Sequence, residues 1–338
     1  MQKQINSLND LRALSAMTVV MSHIGCTAYF MGTERGAYAV SVFYIISAFL
    51  SMYTTEKQKS VTDNIKWIFK KVLRIIPLYY IFTLFTFFVA KIKPDWFNTI
   101  TATIPHLVKS LIFIPYENPN GIVRPILDVT WFLVLLFWFN ILFGIVKLIN
   151  HKYRGTITIA ILVIAFIFGK IFLKDNSIFL QYKYGIISLV FEILIYYIYN
   201  ISCQKNYNLS LKSNAVFNIL CYILFLGLIW IYSIIADNNL RFIAEFIPFI
   251  VVLVFLLFQE QFLQFKAINI ISSASYSIYL CHEFVVKGFS RLVYNLDNLT
   301  AITFILSFIC LVASVLVGIL CWKFLETPLN KIIKKHVL

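Results

Sequence analysis

Long apolar segments, separated by charged or polar clusters, recur along this whole chain. Each holds about 20 residues, the length that an α-helix needs to cross the hydrocarbon core of a bilayer. Backbone N–H and C=O groups in that core must bond within the chain, which favours helices. We place ten predicted spans at residues 11–31, 37–55, 74–92, 129–149, 156–173, 184–201, 214–235, 241–261, 270–290 and 300–323. The sequence therefore predicts an all-α polytopic membrane protein.

Composition supports this class. The chain is 60% hydrophobic with a mean hydropathy of +0.83, and its charged content of 13% is well below the roughly 25% typical of soluble domains. One further apolar stretch, residues 100–114, contains Pro105, His106 and Lys109 and is short for a span. We interpret this stretch as re-entrant or interfacial.

Basic residues indicate the orientation, because cytoplasmic loops of membrane proteins are enriched in Lys and Arg. Most of the 29 basic residues fall in the N-terminus, in residues 56–74, in three later alternate connections and in the C-terminal tail. Both termini are therefore predicted to be cytoplasmic. The net charge of +14 is spread over short loops, which leaves no room for a nucleic-acid-binding module, so we expect no nucleic-acid partner.

The chain carries no clear internal repeat and no low-complexity linker. We predict a single transmembrane domain over residues 1–338, without an appended soluble domain, in the plasma membrane. The abundance of Ile, Lys, Asn and Phe is typical of AT-rich bacterial genomes, so the expected membrane is a bacterial one. The connection over residues 93–128 is predicted to lie outside, where it can form a lid or a substrate entrance.

Arg12 and His23 lie in the first apolar segment, where a charged residue is costly and often functional. Eleven residues are three helical turns plus about 20°, so both side chains share a face, about 16 Å apart. His23 can act as an acid or base near neutral pH, or can simply bond a neighbouring helix. Arg12 can anchor the helix at the lipid phosphates, or can hold a phosphorylated ligand.

Four further groups interrupt apolar surroundings or flank them. Lys71 and Arg74 are three residues apart on the predicted cytoplasmic side, where they can grip a phosphate or merely anchor the helix. His282 and Glu283 lie inside the ninth apolar segment, and at most one of them can face His23 because neighbouring helix positions diverge by about 100°.

Asp128 and Trp131 lie one turn apart at the predicted outer start of the fourth span. The acid can hydrogen-bond a sugar hydroxyl and the indole can stack on its ring, although Trp131 also suits an aromatic belt. Glu192 and Glu260 are expected to be helix-contact or boundary groups. We expect no metal site, because the Cys and His residues show no ligand spacing.

Six segments, in order, resemble the membrane-bound acyltransferase 3 family. The run "INSLNDLRALSAMTVVMSHIG" holds its basic residue, ten residues and histidine, and "KKVLRIIPLYY" its basic-x-x-Arg-x-x-Pro element. The other four runs are "SVFYIISAFLSMY", "DVTWFLVLLFWF", "ISSASYSIYLCHEFVV" and "WKFLETPLNK". The chain departs from the family's pattern at Ala48, Lys71 and residues 132–134, and the last departure removes a usual acidic position.

The resemblance implies an enzyme, an acyltransferase that moves an acyl group, most often acetyl, from cytoplasmic acyl-coenzyme A to a hydroxyl of a cell-envelope carbohydrate. Catalysis is expected from His23 and Arg12, with His23 as general base or as transient acyl carrier. Arg12, Lys71 and Arg74 are expected to bind the phosphates of the acyl-coenzyme A co-substrate. No resident cofactor is expected.

The acceptor is expected to contact the remaining candidate residues, which are Trp131, Asp128, His282 and Glu283. The alternative function is a polysaccharide or lipid-precursor exporter without chemistry, although the internal repeats common in transporters are not evident. The identity of the carbohydrate and of the acyl group, and the oligomeric state, stay open at this point.

Overall fold

The structure is a computed structural model of the chain. It describes residues 5–24, 33–57, 60–97, 100–204, 215–258, 266–292 and 300–336. Regular structure in these residues is helical, apart from one isolated β-bridge between Glu117 and Val123. The main helices are α1 (Ser7–His23), α2 (Thr33–Thr54), α3 (Val61–Ile92), α4 (Ile104–Leu111), α5 (Trp131–Ile149), α6 (Arg154–Phe172), α7 (Ser177–Gln204), α8 (Ala215–Ile235), α9 (Phe246–Phe258), α10 (Lys266–Leu292), α11 (Ala301–Cys321) and α12 (Thr327–His336).

Each predicted span overlaps a helix, which confirms the all-helical class. Six helical stretches in the described part of the chain are long and apolar enough to cross a bilayer. They cover Gly36–Thr54, Val61–Ile92, Asp128–Ile149, Arg154–Phe172, Ser177–Ser202 and Ala301–Ile333. The count of ten spans and the cytoplasmic termini stay predictions.

Several boundaries differ from the predicted ones. α1 ends at His23, where Ile24 turns extended, and the rest of the predicted first span lies outside the described residues. α3 begins at Val61, well before the predicted start at residue 74, because the Ser60 hydroxyl accepts a hydrogen bond from the Asp63 amide at 3.0 Å and caps the helix. Most of residues 56–74, the basic stretch that was predicted as a connection between spans, is therefore helical.

The predicted span over 241–261 is interrupted. A π-helical segment, Ala236–Leu240, is followed by a short turn, Arg241–Ala244, and then by α9. Glu245 lies at the break, fully buried, and accepts a hydrogen bond of 2.9 Å from the Tyr232 hydroxyl. A buried carboxylate needs such donors, which the local change of helical geometry brings to it.

The chain divides into two compact units. The first unit contains Met1–Leu50 and Phe191–Lys323. In it α1 packs against α10, and α10 packs against α11. The shared core consists of small and aliphatic side chains from these three helices and from the residue that ends α1: Ala16, Val20, Ile24, Ala274, Ile278 and Cys310.

A glycine allows the closest of these contacts. A Cβ atom placed on Gly318 of α11 would lie 2.6 Å from the Cα of Ile278 in α10. That distance is too short for any side chain, so the backbones of the two helices approach each other closely at this point. Glu192 of α7 also joins helices within this unit, since its carboxylate accepts the Ala48 amide at 2.8 Å. Its expected role as a helix-contact group is confirmed, whereas Glu260 lies outside the described residues.

The second unit contains Ser51–Val190 and Phe324–Leu338. Its centre is the pair α3 and α5, where the rings of Trp67 and Phe143 lie 5.4 Å apart. The stretch 100–114 contains only α4, whose eight residues extend about 12 Å and cannot cross a bilayer. Its interfacial placement stays a prediction.

Candidate functional site

α1 carries the first two candidate residues. Its helix runs unbroken from Ser7 to His23, so Arg12 and His23 share one face, as predicted. The positions Leu11, Ala13 and Val20 on the same helix are buried, whereas Arg12 is half-buried and His23 is exposed. Arg12 and His23 are therefore more accessible than these three apolar positions of the same helix.

His282 of α10 lies beside His23. The two imidazole rings have centroids 5.2 Å apart and are inclined by 51°. His282 is fully buried, and its Nδ1 lies 2.7 Å from the carbonyl oxygen of Tyr279. Because a carbonyl can only accept, Nδ1 must carry the hydrogen, and Nε2 is left with its lone pair. Nε2 is buried and has no hydrogen-bond partner among the described residues.

Glu283 has a different partner. Its carboxylate forms an ion pair of 2.5 Å with Lys287, one turn further along α10. Of the two neighbouring candidates, His282 is the one whose ring lies beside the ring of His23. Adjacent helix positions diverge by about 100°, so the side chains of His282 and Glu283 leave α10 in different directions.

The second unit holds Lys71 and Arg74 on α3. The ammonium of Lys71 lies 5.5 Å from the centroid of the Trp67 ring, within range of a cation–π interaction. Arg74 is exposed. Of these two cations, Lys71 is the one that lies within cation–π range of the Trp67 ring.

Two buried cations of the second unit were not among the predicted site residues. Lys147 of α5 lies 5.9 Å from the same Trp67 ring, and Arg154 begins α6. Only 3% of Lys147 and 6% of Arg154 are exposed. Their positions at the ends of apolar segments are typical of ordinary basic anchors, so the sequence carried no signal of their burial.

Asp128 and Trp131 lie together at the start of α5, in the second unit. Arg124 connects them, because its Nε lies 2.9 Å from an Asp128 carboxylate oxygen and its guanidinium lies 5.8 Å from the Trp131 ring centroid. Sequence reasoning missed Arg124. One oxygen of the Asp128 carboxylate, which was predicted to bind a sugar hydroxyl, is therefore held in an ion pair with Arg124. A guanidinium, a carboxylate and an indole thus lie side by side in this unit.

The family of the chain follows from its sequence match. Residues 5–323 match the family described as acyltransferase domain. This chain belongs to that acyltransferase family. The matched residues include His23 and His282, and the six long apolar helices make this acyltransferase family member a multi-pass membrane protein.

One curated relative is the exopolysaccharide production protein ExoZ of Rhizobium meliloti (strain 1021). It is 28% identical to the chain over 153 residues, which are 45% of this chain. The match covers 47% of that protein, so the acyltransferase family member spans about half the length of the curated relative. No solved structure matches the chain significantly.

Proposed function

We propose that this protein is a membrane O-acyltransferase that moves an acyl group, in most cases acetyl, from acyl-coenzyme A to a hydroxyl of a cell-envelope polysaccharide or glycan precursor. The family match and the exopolysaccharide relative support the reaction class. The contact between the imidazoles of His23 and His282 is the observation that carries the proposal, because it places a buried, oriented imidazole beside the exposed imidazole of His23.

The proposed chemistry needs one proton acceptor and one proton donor. A hydroxyl oxygen of the acceptor attacks the thioester carbonyl while His23 removes its proton. The carbon–sulfur bond then breaks, and the proton returns to the sulfur of the departing coenzyme A. In the alternative route, the unprotonated imidazole nitrogen of His23 attacks the thioester carbonyl, and the carbon–sulfur bond breaks to release coenzyme A as the thiolate. The acyl group then passes from the imidazole to the acceptor hydroxyl, whose proton goes to the thiolate sulfur.

His282 has a positioning role in both routes. Its Nδ1 hydrogen is held by the Tyr279 carbonyl, so only Nε2 remains to interact with a neighbouring group. An imidazole in this fixed tautomer can accept a hydrogen bond and thereby orient the ring of His23, as the buried partner of a catalytic histidine does elsewhere.

The donor is proposed to bind from the cytoplasm. Arg12 in the first unit and Lys71 and Arg74 in the second unit each offer a cation for its phosphates. In the second unit, the acceptor carbohydrate is assigned to Trp131 and Asp128. In the first unit, His282 and Glu283 are retained as acceptor contacts, with the ion pair to Lys287 limiting what Glu283 can offer. The proposed location is the bacterial plasma membrane.

Membranes containing the protein, incubated with radiolabelled acetyl-coenzyme A and envelope polysaccharide, test the proposed reaction. The wild type is expected to label the polymer. His23→Ala is expected to abolish labelling, and His282→Ala to lower it by about 10²-fold or more, on the order of the effect of removing an orienting group. Ser273→Ala, an exposed change on the same helix as His282, is expected to label normally.

The outcomes separate the competing functions. Normal labelling by His23→Ala would exclude the mechanism, and an unlabelled polymer with intact polysaccharide export would favour the exporter. Acid-quenched protein that carries label without acceptor, in the wild type and not in His23→Ala, would identify the acyl-carrier route.

A further inference from the structure

Two buried cations stand out in the second unit. Lys147 and Arg154 are respectively 3% and 6% exposed, in a protein where most other basic side chains are half-buried or exposed. Lys147 lies within electrostatic range of the Arg154 guanidinium, which repels it, and of the Asp63 carboxylate, which attracts it. Asp63 is exposed. Like charges that are buried near each other are unfavourable unless an anion accompanies them.

The aromatic neighbour of Lys147 is Trp67. Its indole is 6% exposed and lies within 6 Å of two ammonium groups, those of Lys71 and Lys147. Asn64, one turn before Trp67, donates to the Gly144 carbonyl at 3.2 Å and joins α3 to α5. The cations are therefore held on rigid helices and are not on free loops.

The guanidinium of Arg154 has one N–H group, at Nε, that makes no hydrogen bond within the described residues. Its Nη1 donates to the His151 carbonyl at 2.8 Å, and its Nη2 to the Met52 carbonyl at 3.4 Å. Its Nε is buried and has no hydrogen-bond partner among the described residues. Carbonyls at helix ends attract a cation, which explains the two contacts but leaves the Nε hydrogen unused. A buried donor without an acceptor is rare in folded proteins.

We propose that Lys147, which lies beside Trp67, and Arg154, which lies within electrostatic range of Lys147, form a binding site for a phosphate group of the acyl donor. The inference rests on the proposed function and adds two residues to the donor site. A phosphate oxygen can accept the unused Nε hydrogen and offset the charge of Lys147 at the same time. The headgroup of an anionic phospholipid has the same chemistry, so the experiment must separate the two sources.

The test compares two acetyl donors on the full-length protein in nanodiscs. Acetyl-coenzyme A carries three phosphates, and acetyl-pantetheine carries none. We expect Lys147→Met and Arg154→Gln each to weaken binding of acetyl-coenzyme A by about tenfold, as typical for the loss of one charge-assisted hydrogen bond, and to leave acetyl-pantetheine unaffected. Lys152→Met is the matched control, because Lys152 lies in the connection between α5 and α6 but its side chain is exposed. Its ammonium group contacts the Tyr153 ring.

Each result points one way. A fall in the preference for acetyl-coenzyme A in both variants, with Lys152→Met unchanged, supports the site. Equal losses for both donors indicate only a structural role and overturn it. In a third outcome, the variants still prefer acetyl-coenzyme A, but their donor binding no longer differs between phosphatidylcholine discs with and without phosphatidylglycerol. The cations then bind a lipid headgroup, and this result also overturns the proposed site. Wild-type protein that binds neither donor contradicts the proposed function itself.

Discussion

His106 is a buried side chain that connects three parts of residues 100–128, a segment of the second unit that is predicted to lie outside. Its Nε2 lies 2.8 Å from the Arg124 carbonyl and its Nδ1 lies 2.8 Å from the Thr101 carbonyl, while its ring stacks on Tyr116 at 4.2 Å. Burial lowers the pKa of His106 below its ordinary value of 6.5, and the two backbone contacts oppose this shift only in part. Folding of this segment therefore disfavours the protonated ring of His106, relative to a segment in which the ring is exposed to water.

This pKa shift predicts that the segment over residues 100–128 loosens in acid. Below pH 6.5 an opened segment takes up a proton on His106 more readily than the closed one, so acid favours opening, whereas stability is retained above that pH. We expect faster hydrogen exchange over residues 100–128 at about pH 5.5 than at about pH 7.5, after correction for intrinsic exchange rates. His106→Gln should remove this difference, and a variant that keeps it would show that another group titrates.

At this scale the sequence located candidates but not their partners. It identified His23 and His282 because an ionisable side chain inside an apolar segment is costly and is often functional. It could not predict that the His282 ring lies beside the His23 ring, because that contact depends on how α10 is rotated against α1. Lys147 and Arg154 were hidden, since basic residues at span ends are common anchors and only tertiary packing reveals that these two are buried.

The helix pair α10 and α11 depends on a single position without a side chain. Gly318 lets the two backbones meet beside Ile278, and Ile278 is fully buried in the core next to α1. α10 also carries His282, so the packing of this pair fixes the height and rotation of one site imidazole. Close backbone contacts of this kind are common where membrane helices associate.

Gly318→Ala is expected to destabilise the first unit by about 1–3 kcal/mol, because the added methyl group overlaps the Ile278 backbone. The thermal unfolding midpoint in detergent should fall by several degrees. Gly288→Ala in α10 is the matched control, since no atom lies within 4 Å of its added Cβ and alanine favours helices. Equal midpoints for the two variants would contradict the close contact.

Helices as elements were predicted well, whereas their ends were not. Hydropathy identifies a segment that lipid accepts, but a helix can extend beyond it through polar residues. α3 does so because Ser60 caps it early, and the break before α9 exists because Glu245 requires donors deep in the first unit. Both causes are local hydrogen bonds, which a hydropathy window averages away.

At the scale of the whole molecule, orientation in the membrane is the least constrained property. The six long apolar helices require lipid around them, but the sides of the membrane follow only from the distribution of basic residues. The connection around Lys152 is predicted inside, and the connection around Asn120 is predicted outside.

Single cysteines at these two positions test the orientation in intact cells. In a background whose native cysteines are replaced by serine or alanine, a membrane-impermeant maleimide is expected to label Asn120→Cys and to spare Lys152→Cys, because the reagent reaches only the outer face. Permeabilised cells should label both. The reverse pattern would place the termini outside and the donor site on the wrong side for cytoplasmic acyl-coenzyme A.

Most of the surface of α6 is not covered by other parts of the protein, unlike that of the core helices. Only 22% of its most apolar stretch is buried within the protein, against 67% for α2, and Ile164, Ile171 and Phe172 are each more than 60% exposed. Such side chains need to be compatible with lipid but do not need to fit a neighbour. Related proteins can therefore exchange one apolar residue for another along α6 with little consequence, while α2 has to keep the shapes of its side chains.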